Sequence, residues 1–512
     1  MALIGNIIHR GLRLRNRMNF RTLSPAKYQE NELRRLLKKA RYTAFGKHFQ
    51  FMEILRSQHI AKTFKNKVPV YDYEKMYFEW WHRALKEEPD VSWPGYVQYF
   101  ALTSGTSGAA SKKIPVTNDM VRAIRQNSIK QIFALAAFNP PDEVFEKSIL
   151  ILGGSTHLNK TGRYFEGDLS GISASRLPFW FQHYYKPGPK ISAEKDWNTK
   201  ISEIVKMAPQ WDISIVAGIP SWVQILFEKI IEHYQVDNIH QIWPNLVFYI
   251  HGGVNFAPYR RSFDRLTGKP LRYMETYIAS EGYIAFQRSP ESNSMQMILN
   301  NGIYYEFVPF NSQNFDQDGE INENAEVLTM DEVEPNKPYA LLMSTSAGAW
   351  RYLIGDVIRF TDTEKAQIIV DGRTKHFLSL CGEHLSVDNM NRAVEELEKE
   401  TGIDVQEFTV AGEANLNMFA HHWYIGVKEK ADEEKLKKIL DDNLKKLNDD
   451  YRLERASALN KIKLTLLPPE YFYQWMESKG KMGGQNKFPR VLKGSNLASW
   501  ESFIGKKMPS HL

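Results

Sequence analysis

The chain of 512 residues contains a single cysteine, Cys381. One thiol excludes an intramolecular disulfide and any zinc site built on several cysteines, and it fits a reducing compartment. A lone cysteine is more often an inert buried residue than a nucleophile. No apolar run approaches the ~20 residues that a helix needs to span a bilayer, so no transmembrane segment is expected and the expected location is cytoplasmic. Residues 1–22 lack the continuous apolar stretch and small-residue cleavage pattern of a secretory signal. Basic residues interleaved with aromatics are also missing, so nucleic acid is not an expected partner. There is no internal repeat and no low-complexity segment. The formal charge of +6 is mild for this length and favours small anionic ligands only weakly.

With 43% hydrophobic and 25% charged residues, the composition is that of an ordinary globular protein, long enough for a large core and more than one domain. Near the N-terminus, Arg10, Arg13, Arg17 and Arg21 recur at three- and four-residue steps, which would place them on one face of a helix. A basic helix docked on the body is the preferred reading. A presequence and an interfacial helix are the alternatives.

Up to about residue 378 the pattern alternates buried strands, glycine-bearing turns and helices. Ser148–Leu152 runs into Gly153-Gly154, Ile213–Ala217 into Gly218, and Leu246–Ile250 into His251-Gly252-Gly253. This is the sign of a parallel or mixed α/β sheet, with ligands expected beyond the carboxyl ends of the strands. The remainder reads as a small α+β domain. It has helix-like segments at 388–399 and 433–448 and strand-like segments at 405–410, 422–427 and 462–467. Leu436, Ile439, Leu440, Leu444 and Leu447 recur at helical spacing and should pack on a small sheet.

The loop Ser104-Gly105-Thr106-Ser107-Gly108, followed by Lys112 and Lys113, is the strongest candidate for chemistry. Its glycines can turn successive N–H groups inward around an anion, with hydroxyls and a lysine adding donors and charge. A solvated polar turn is the bland alternative. The flanks read as strands at 97–102 and 113–116, with Thr117 capping a helix from Met120 to Phe138. Strand–loop–strand, without a Gly-Lys-Ser/Thr ending, excludes a Walker-type kinase or GTPase.

Further segments join it. Glu281 sits among small residues in Ala279-Ser280-Glu281-Gly282, either as an acid at a helix N-terminus or as a magnesium ligand. Asp356, after Gly355, is either a turn acid or an acceptor for two ribose hydroxyls. Asp371-Gly372-Arg373 is either a hairpin turn or a source of an arginine for ribose or phosphate. Lys487 lies in the glycine-preceded loop 483–490, which is either a basic tail or a segment delivering that lysine to a site.

Together and in this order the segments resemble the adenylate-forming enzymes, and more closely the Gretchen Hagen family of acyl-acid amido synthetases. The matching residues are the Ser104–Gly108 loop with its lysines, 218–222, 251–259, 277–286, 352–357, 378–386 and 485–490. The resemblance implies a large N-terminal adenylation domain over 1–377, α/β with mixed sheets and flanking helices. A small mobile α+β domain over 378–512 would hinge near 375–379. It implies ATP and Mg2+, a carboxylic acid and an amine (an amino acid) as substrates, and a monomer. The carboxylate would be joined to AMP with loss of pyrophosphate, and the amine would then take the acyl group to give an amide.

By the same resemblance, Ser104, Gly105, Thr106, Ser107, Gly108 and Lys112 would hold the β,γ-phosphates and Glu281 the metal. Asp356 and Arg373 would bind ribose, with Tyr277 in the same nucleotide site. Ala279, Ser280, Gly252 and Gly253 would line the adenine and α-phosphate region, and Lys487 would meet the α-phosphate and carboxylate. The acyl pocket would be walled by the helix after Thr117, the loop 153–173 and the helix at Ser221. The segment 378–384 is closer to bacterial than to plant members, which implies a bacterial member. The alternatives are an acyl-CoA synthetase, whose Pro-Lys-Thr tail is absent here, and a non-catalytic binder of acyl-adenylates or nucleotides.

Overall fold

The computed structural model describes residues 23–508 except 104–111, 178, 255, 317–318, 375–384, 416–417, 449–450, 453–454, 456–458 and 482–486. The basic stretch 1–22, the Ser104–Gly108 loop, Cys381 and the expected hinge and domain junction therefore lie outside the described residues.

The buried runs that enter glycine turns form the strands Ser148–Leu152, Ile213–Gly218 and Phe248–Gly252, which lie side by side in parallel. Arg272–Ala279 extends this parallel series, pairing His251 with Glu275 and Gly252 with Thr276. The chain then reverses through Ser280 and Glu281 into Gly282–Gln287, and from there the sheet is antiparallel. Among the described residues eleven strands result, with Ile303–Pro309 and Tyr185–Lys186 at the edges. The site lies where the parallel half meets the antiparallel half.

A second, four-stranded sheet contains the hairpin Tyr99–Thr103 and Lys112–Val116. The expected strand–loop–strand unit is therefore present on both sides of the loop. Thr117 caps the following helix, Asn118–Ala134, by accepting from the Met120 N–H at 3.2 Å. Its hydroxyl also donates to the Ser346 carbonyl at 2.6 Å, which ties this helix to the main body.

The C-terminal region builds a third sheet from Leu459–Leu467, Met418–Gly426, Glu407–Asn415 and Val491–Leu492. One of its cores joins the helices Val387–Thr401 and Glu433–Leu447 through Val394, Leu397, Leu436, Leu440 and Leu444. A different core joins its residues Phe472, Trp475, Phe488 and Trp500 to Trp222, Tyr249 and Phe263 of the large body. Burial of such large rings is the principal adhesive between the two regions. A polar seam runs beside it. Tyr259 donates to Glu407 at 3.3 Å, Ser262 to Asp404 at 3.2 Å, and Arg265 pairs with Asp404.

Candidate active site

A cavity of about 1360 Å3 opens between the two regions, at the carboxyl ends of the parallel strands. Its walls include Lys112, Gly253, Tyr277, Ala279, Ser280, Glu281, Asp356, Arg373 and Lys487. Residues up to 375 positions apart in sequence thus meet at one place.

The structure sets aside three of the local alternatives. Glu281 does not begin a helix; it belongs to a two-residue turn between antiparallel strands, with Ala279 opposite Gly282. Asp356 does not occupy a turn, and Asp371-Gly372-Arg373 is no hairpin tip. Both lie within paired strands, Tyr352–Asp362 and Gln367–Arg373, with Asp356 opposite Arg373. Short acidic and glycine-bearing segments suggest turns in sequence, whereas here cross-strand pairing decides their conformation.

The register sets the geometry around Asp356. Arg373 Nε lies 2.9 Å from Asp356 Oδ1, and Tyr277 donates its hydroxyl to Oδ2 at 2.5 Å. Arg373 also donates to the Ile354 carbonyl at 3.0 Å, which fixes the guanidinium. Each carboxylate oxygen retains acceptor capacity, because it can accept about two hydrogen bonds. Glu281 lies close enough to Asp356 to feel its charge. Burial and then this repulsion push the Glu281 carboxyl up to about 7. A cation at this point would relieve both effects.

Lys487 reaches the same cleft from the C-terminal region. Its ammonium donates to the Gly253 carbonyl. The side chain keeps a face open to the cavity, while removal from bulk water lowers its pKa to about 8; Asp356 opposes that fall and Arg373 adds to it. Gly253 has φ +85°, and a Cβ there would lie 3.0 Å from Lys487 Cε. Neighbouring Gly252 serves packing instead, since a Cβ would meet the Thr276 carbonyl oxygen at 2.3 Å.

The two lysines after the phosphate-loop candidate differ. Lys112 lines the cavity with its ammonium over the Tyr73 ring at 4.8 Å. Lys113 turns away and pairs with Glu166. Of the expected acyl-pocket walls, Phe138 and Asp168 line the cavity, and the helix Pro220–Tyr234 contributes none of its lining. Arg490 is bound into the small sheet, paired with Glu407 and donating to the Phe408 carbonyl at 2.9 Å.

Sequence reading missed Glu275, Tyr273 and Arg260 on the same wall. The available signal was alternation. Tyr273, Glu275 and Tyr277 are spaced two apart on one strand, so they share a face.

Among the described residues no group of three or more His, Cys, Asp or Glu side chains converges on a metal position. A magnesium ion carried largely by nucleotide phosphates needs only one or two carboxylates beside the phosphate oxygens, and Glu281 is a residue that could supply one. Among the described residues no helix is long and apolar enough to cross a membrane.

A large mixed-sheet body with a small α+β region carrying a lysine over the strand ends is the architecture of adenylate-forming enzymes. Models of the GH3 family N-terminal, central and C-terminal domains match residues 14–200, 296–368 and 388–496 in that order, together most of the chain. The chain belongs to the GH3 family. Indole-3-acetic acid-amido synthetase GH3.4 of Arabidopsis thaliana is 25% identical over 277 residues, 50% of this chain and 45% of that protein. The probable indole-3-acetic acid-amido synthetase GH3.9 of Oryza sativa subsp. japonica is 25% identical over 280 residues, 50% and 62%. The chain spans about half the length of the curated relatives it matches.

These relatives are plant proteins, which overturns the expectation of a bacterial member. Among solved structures, GH3.15 acyl acid amido synthetase matches with TM-score 0.73 at 17% identity over 93% of both chains. A 2-hydroxyisobutyryl-CoA ligase in a postadenylation state matches with TM-score 0.60 at 12% identity, over 95% of this chain and 92% of that one. At these identities the likeness is one of fold.

Proposed function

We propose that this protein is an acyl-acid amido synthetase that adenylates a carboxylic acid with ATP and passes the acyl group to an amine, releasing AMP and pyrophosphate. The observation carrying this reading is the meeting of Lys487, the Asp356–Arg373–Tyr277 group and Glu281 around one cavity. The first step sets a carboxylate against the α-phosphate, so the protein's task is alignment and charge neutralisation. Asp356, held by Tyr277 and Arg373, binds the ribose hydroxyls. Ala279, Ser280 and the Gly253 turn bound the adenine and α-phosphate region, and Lys487 lies against the oxygens that gain charge.

Lys112 and the Ser104–Gly108 loop, which lies outside the described residues, hold the β,γ-phosphates in this reading. A magnesium ion held by Glu281 and the nucleotide would neutralise the polyphosphate. The C-terminal region, taken as 378–512, carries Lys487 in and out between the two steps. Indole-3-acetic acid, which the relatives' names carry, is the first candidate for this site.

The test is ATP–pyrophosphate exchange with magnesium and a panel of indole-3-acetate, benzoate, short aliphatic acids and fatty acids. Exchange dependent on one class of acid is expected. A folded protein giving none with any of them overturns the adenylation reading. Mass spectrometry of products formed with mixed amino acids and CoA then separates amide from thioester synthesis.

A further inference from the structure

Three residues after Lys487, a buried charge pair stands that the adenylation chemistry leaves unused. Arg490 pairs with Glu407, whose residue is 3% exposed, and the Arg490 side chain is 10% exposed. The same guanidinium donates to the Phe408 carbonyl at 2.9 Å and lies over the Phe408 ring at 4.3 Å. The backbone is tied down as well. The Val410 N–H donates to the Arg490 carbonyl at 2.9 Å, and the Thr409 hydroxyl donates to the Pro489 carbonyl at 2.8 Å. Position 490 is therefore fixed to the strand Glu407–Asn415, and Lys487 hangs from it by at most about 11 Å of chain.

The large body reaches this pair through Tyr259, which is 2% exposed. Glu407 Oε1 already holds Arg490 and the Phe408 N–H. Tyr259 donates its hydroxyl to the other oxygen, Oε2, at 3.3 Å and accepts from Arg490 at 3.5 Å. Burial and then the Glu407 charge hold this phenol well above its ordinary value, so it remains a donor. Tyr259 follows Gly253 by six residues, and the Gly253 carbonyl takes the Lys487 ammonium. Two segments thus meet at two points across the junction, Gly253 with Lys487 and Tyr259 with Arg490. Between them Phe488 is wedged against Phe472 at 4.9 Å and Trp475 at 5.2 Å.

A buried ion pair adds little net stability over apolar side chains of the same size, although removing one partner is costly. Adhesion between the regions comes from the rings of Phe472, Trp475, Phe488 and Trp500 against Trp222, Tyr249 and Phe263. What the pair adds beside the lysine is a fixed geometry. We propose that Tyr259 is a positioning residue for Lys487: it completes the Glu407–Arg490 pair when the C-terminal region is docked, and so sets the lysine for the adenylation step and not for transfer to the amine. The proposal rests on the amido synthetase reading, in which Lys487 serves the first step.

The experiment measures two half-reactions with the acid that supports exchange: ATP–pyrophosphate exchange, and amide formation from the synthetic acyl-adenylate supplied with mixed amino acids. Tyr259→Phe keeps the buried ring and removes only the hydroxyl. Its kcat for exchange should fall by on the order of 10–100-fold, as expected for a misplaced catalytic group, with KM for ATP within about threefold. Transfer from the supplied adenylate should be unchanged, and Tm should drop by no more than a few degrees. In a Lys487→Ala background the same substitution should cost nothing further, because no lysine is left to position. Arg490→Lys keeps the charge against Glu407 and loses the planar fork, so it should show the same split between the half-reactions. That variant decides the matter if Tyr259→Phe does not fold.

Unchanged exchange in Tyr259→Phe overturns the assignment. So does an equal loss in both half-reactions, or a loss of full size on top of Lys487→Ala. Absence of exchange in the unaltered protein sinks the parent reading and this one together, whereas normal exchange that Tyr259→Phe leaves at full rate sinks this one alone.

Discussion

In the proposed reading Lys487 is asked to do two things that oppose each other. It must be charged to offset the developing negative charge, and it lies where partial removal from bulk water disfavours that charge, although its side chain keeps a face open to the cavity. Glu281 has the mirror-image problem, since burial and Asp356 favour its neutral form. The two values, about 7 for Glu281 and about 8 for Lys487, set an expected pH profile. For kcat/KM of ATP, activity should rise as Glu281 loses its proton near 7 and fall as Lys487 loses its own near 8. Raising magnesium should move the acid limb downward, because metal competes with the proton for Glu281. Lys487→Ala should slow exchange by on the order of 10²–10³-fold and abolish the basic limb. A profile with the basic limb intact in that variant would place the titration elsewhere. Sequence could nominate both residues by their company of glycines and small side chains. It could not reveal that Glu275, on the same wall, faces His251 across a parallel pair.

The elements around the site were legible in sequence wherever a buried run met a glycine. Ser148–Leu152 and the strand ending at Gly218 appear as expected, and Thr117 does cap its helix. What misled was the acid-bearing segments. The helix-start alternative for Glu281 and the turn alternative for Asp356 fail because local propensity carries no information on cross-strand partners, and those partners decide both. At this scale Gly253 makes a specific prediction. Its φ of +85° costs an L-residue roughly 1–2 kcal/mol, and an added Cβ would press on Lys487. Gly253→Ala should therefore lower Tm by no more than a few degrees while reducing exchange severely. Thermal melts and exchange on one sample check this, and a large loss of Tm with proportionate activity would make the position merely structural.

For the whole molecule, fold class could be read from alternating elements and the change of texture near residue 378. The order of the eleven strands could not, since it depends on which buried faces find one another across hundreds of residues. The assembled body also buries several acids whose pKa values rise, Glu275 and Glu281 to about 7 and Glu398 to about 8. A carboxyl with a folded pKa above its unfolded value of 4.5 binds its proton more tightly in the folded state. Its contribution is full below the unfolded value and is lost as pH rises through the folded one. Buried histidines, lowered in the folded state, act oppositely but only below about 6.5. Stability without ligand should therefore decline between about pH 6.5 and 8, and magnesium with ATP should recover part of it. Melts across that range, with and without nucleotide, measure the effect; a flat or rising curve without nucleotide contradicts it.

The size of the cavity has a kinetic meaning. About 1360 Å3 exceeds the 300–1,000 Å3 of an ordinary small-molecule site. Such a chamber has room for a third reactant beside a nucleotide and an acyl group. In the proposed reading, with nucleotide, acid and acceptor sharing one chamber, the order of events becomes a matter of residence rather than transport. An acyl-adenylate formed there would meet its acceptor before it met bulk water. The partition between productive transfer and wasteful hydrolysis would then be set by how often an acceptor is present in the chamber, so the fraction of ATP spent without product should fall as acceptor concentration rises.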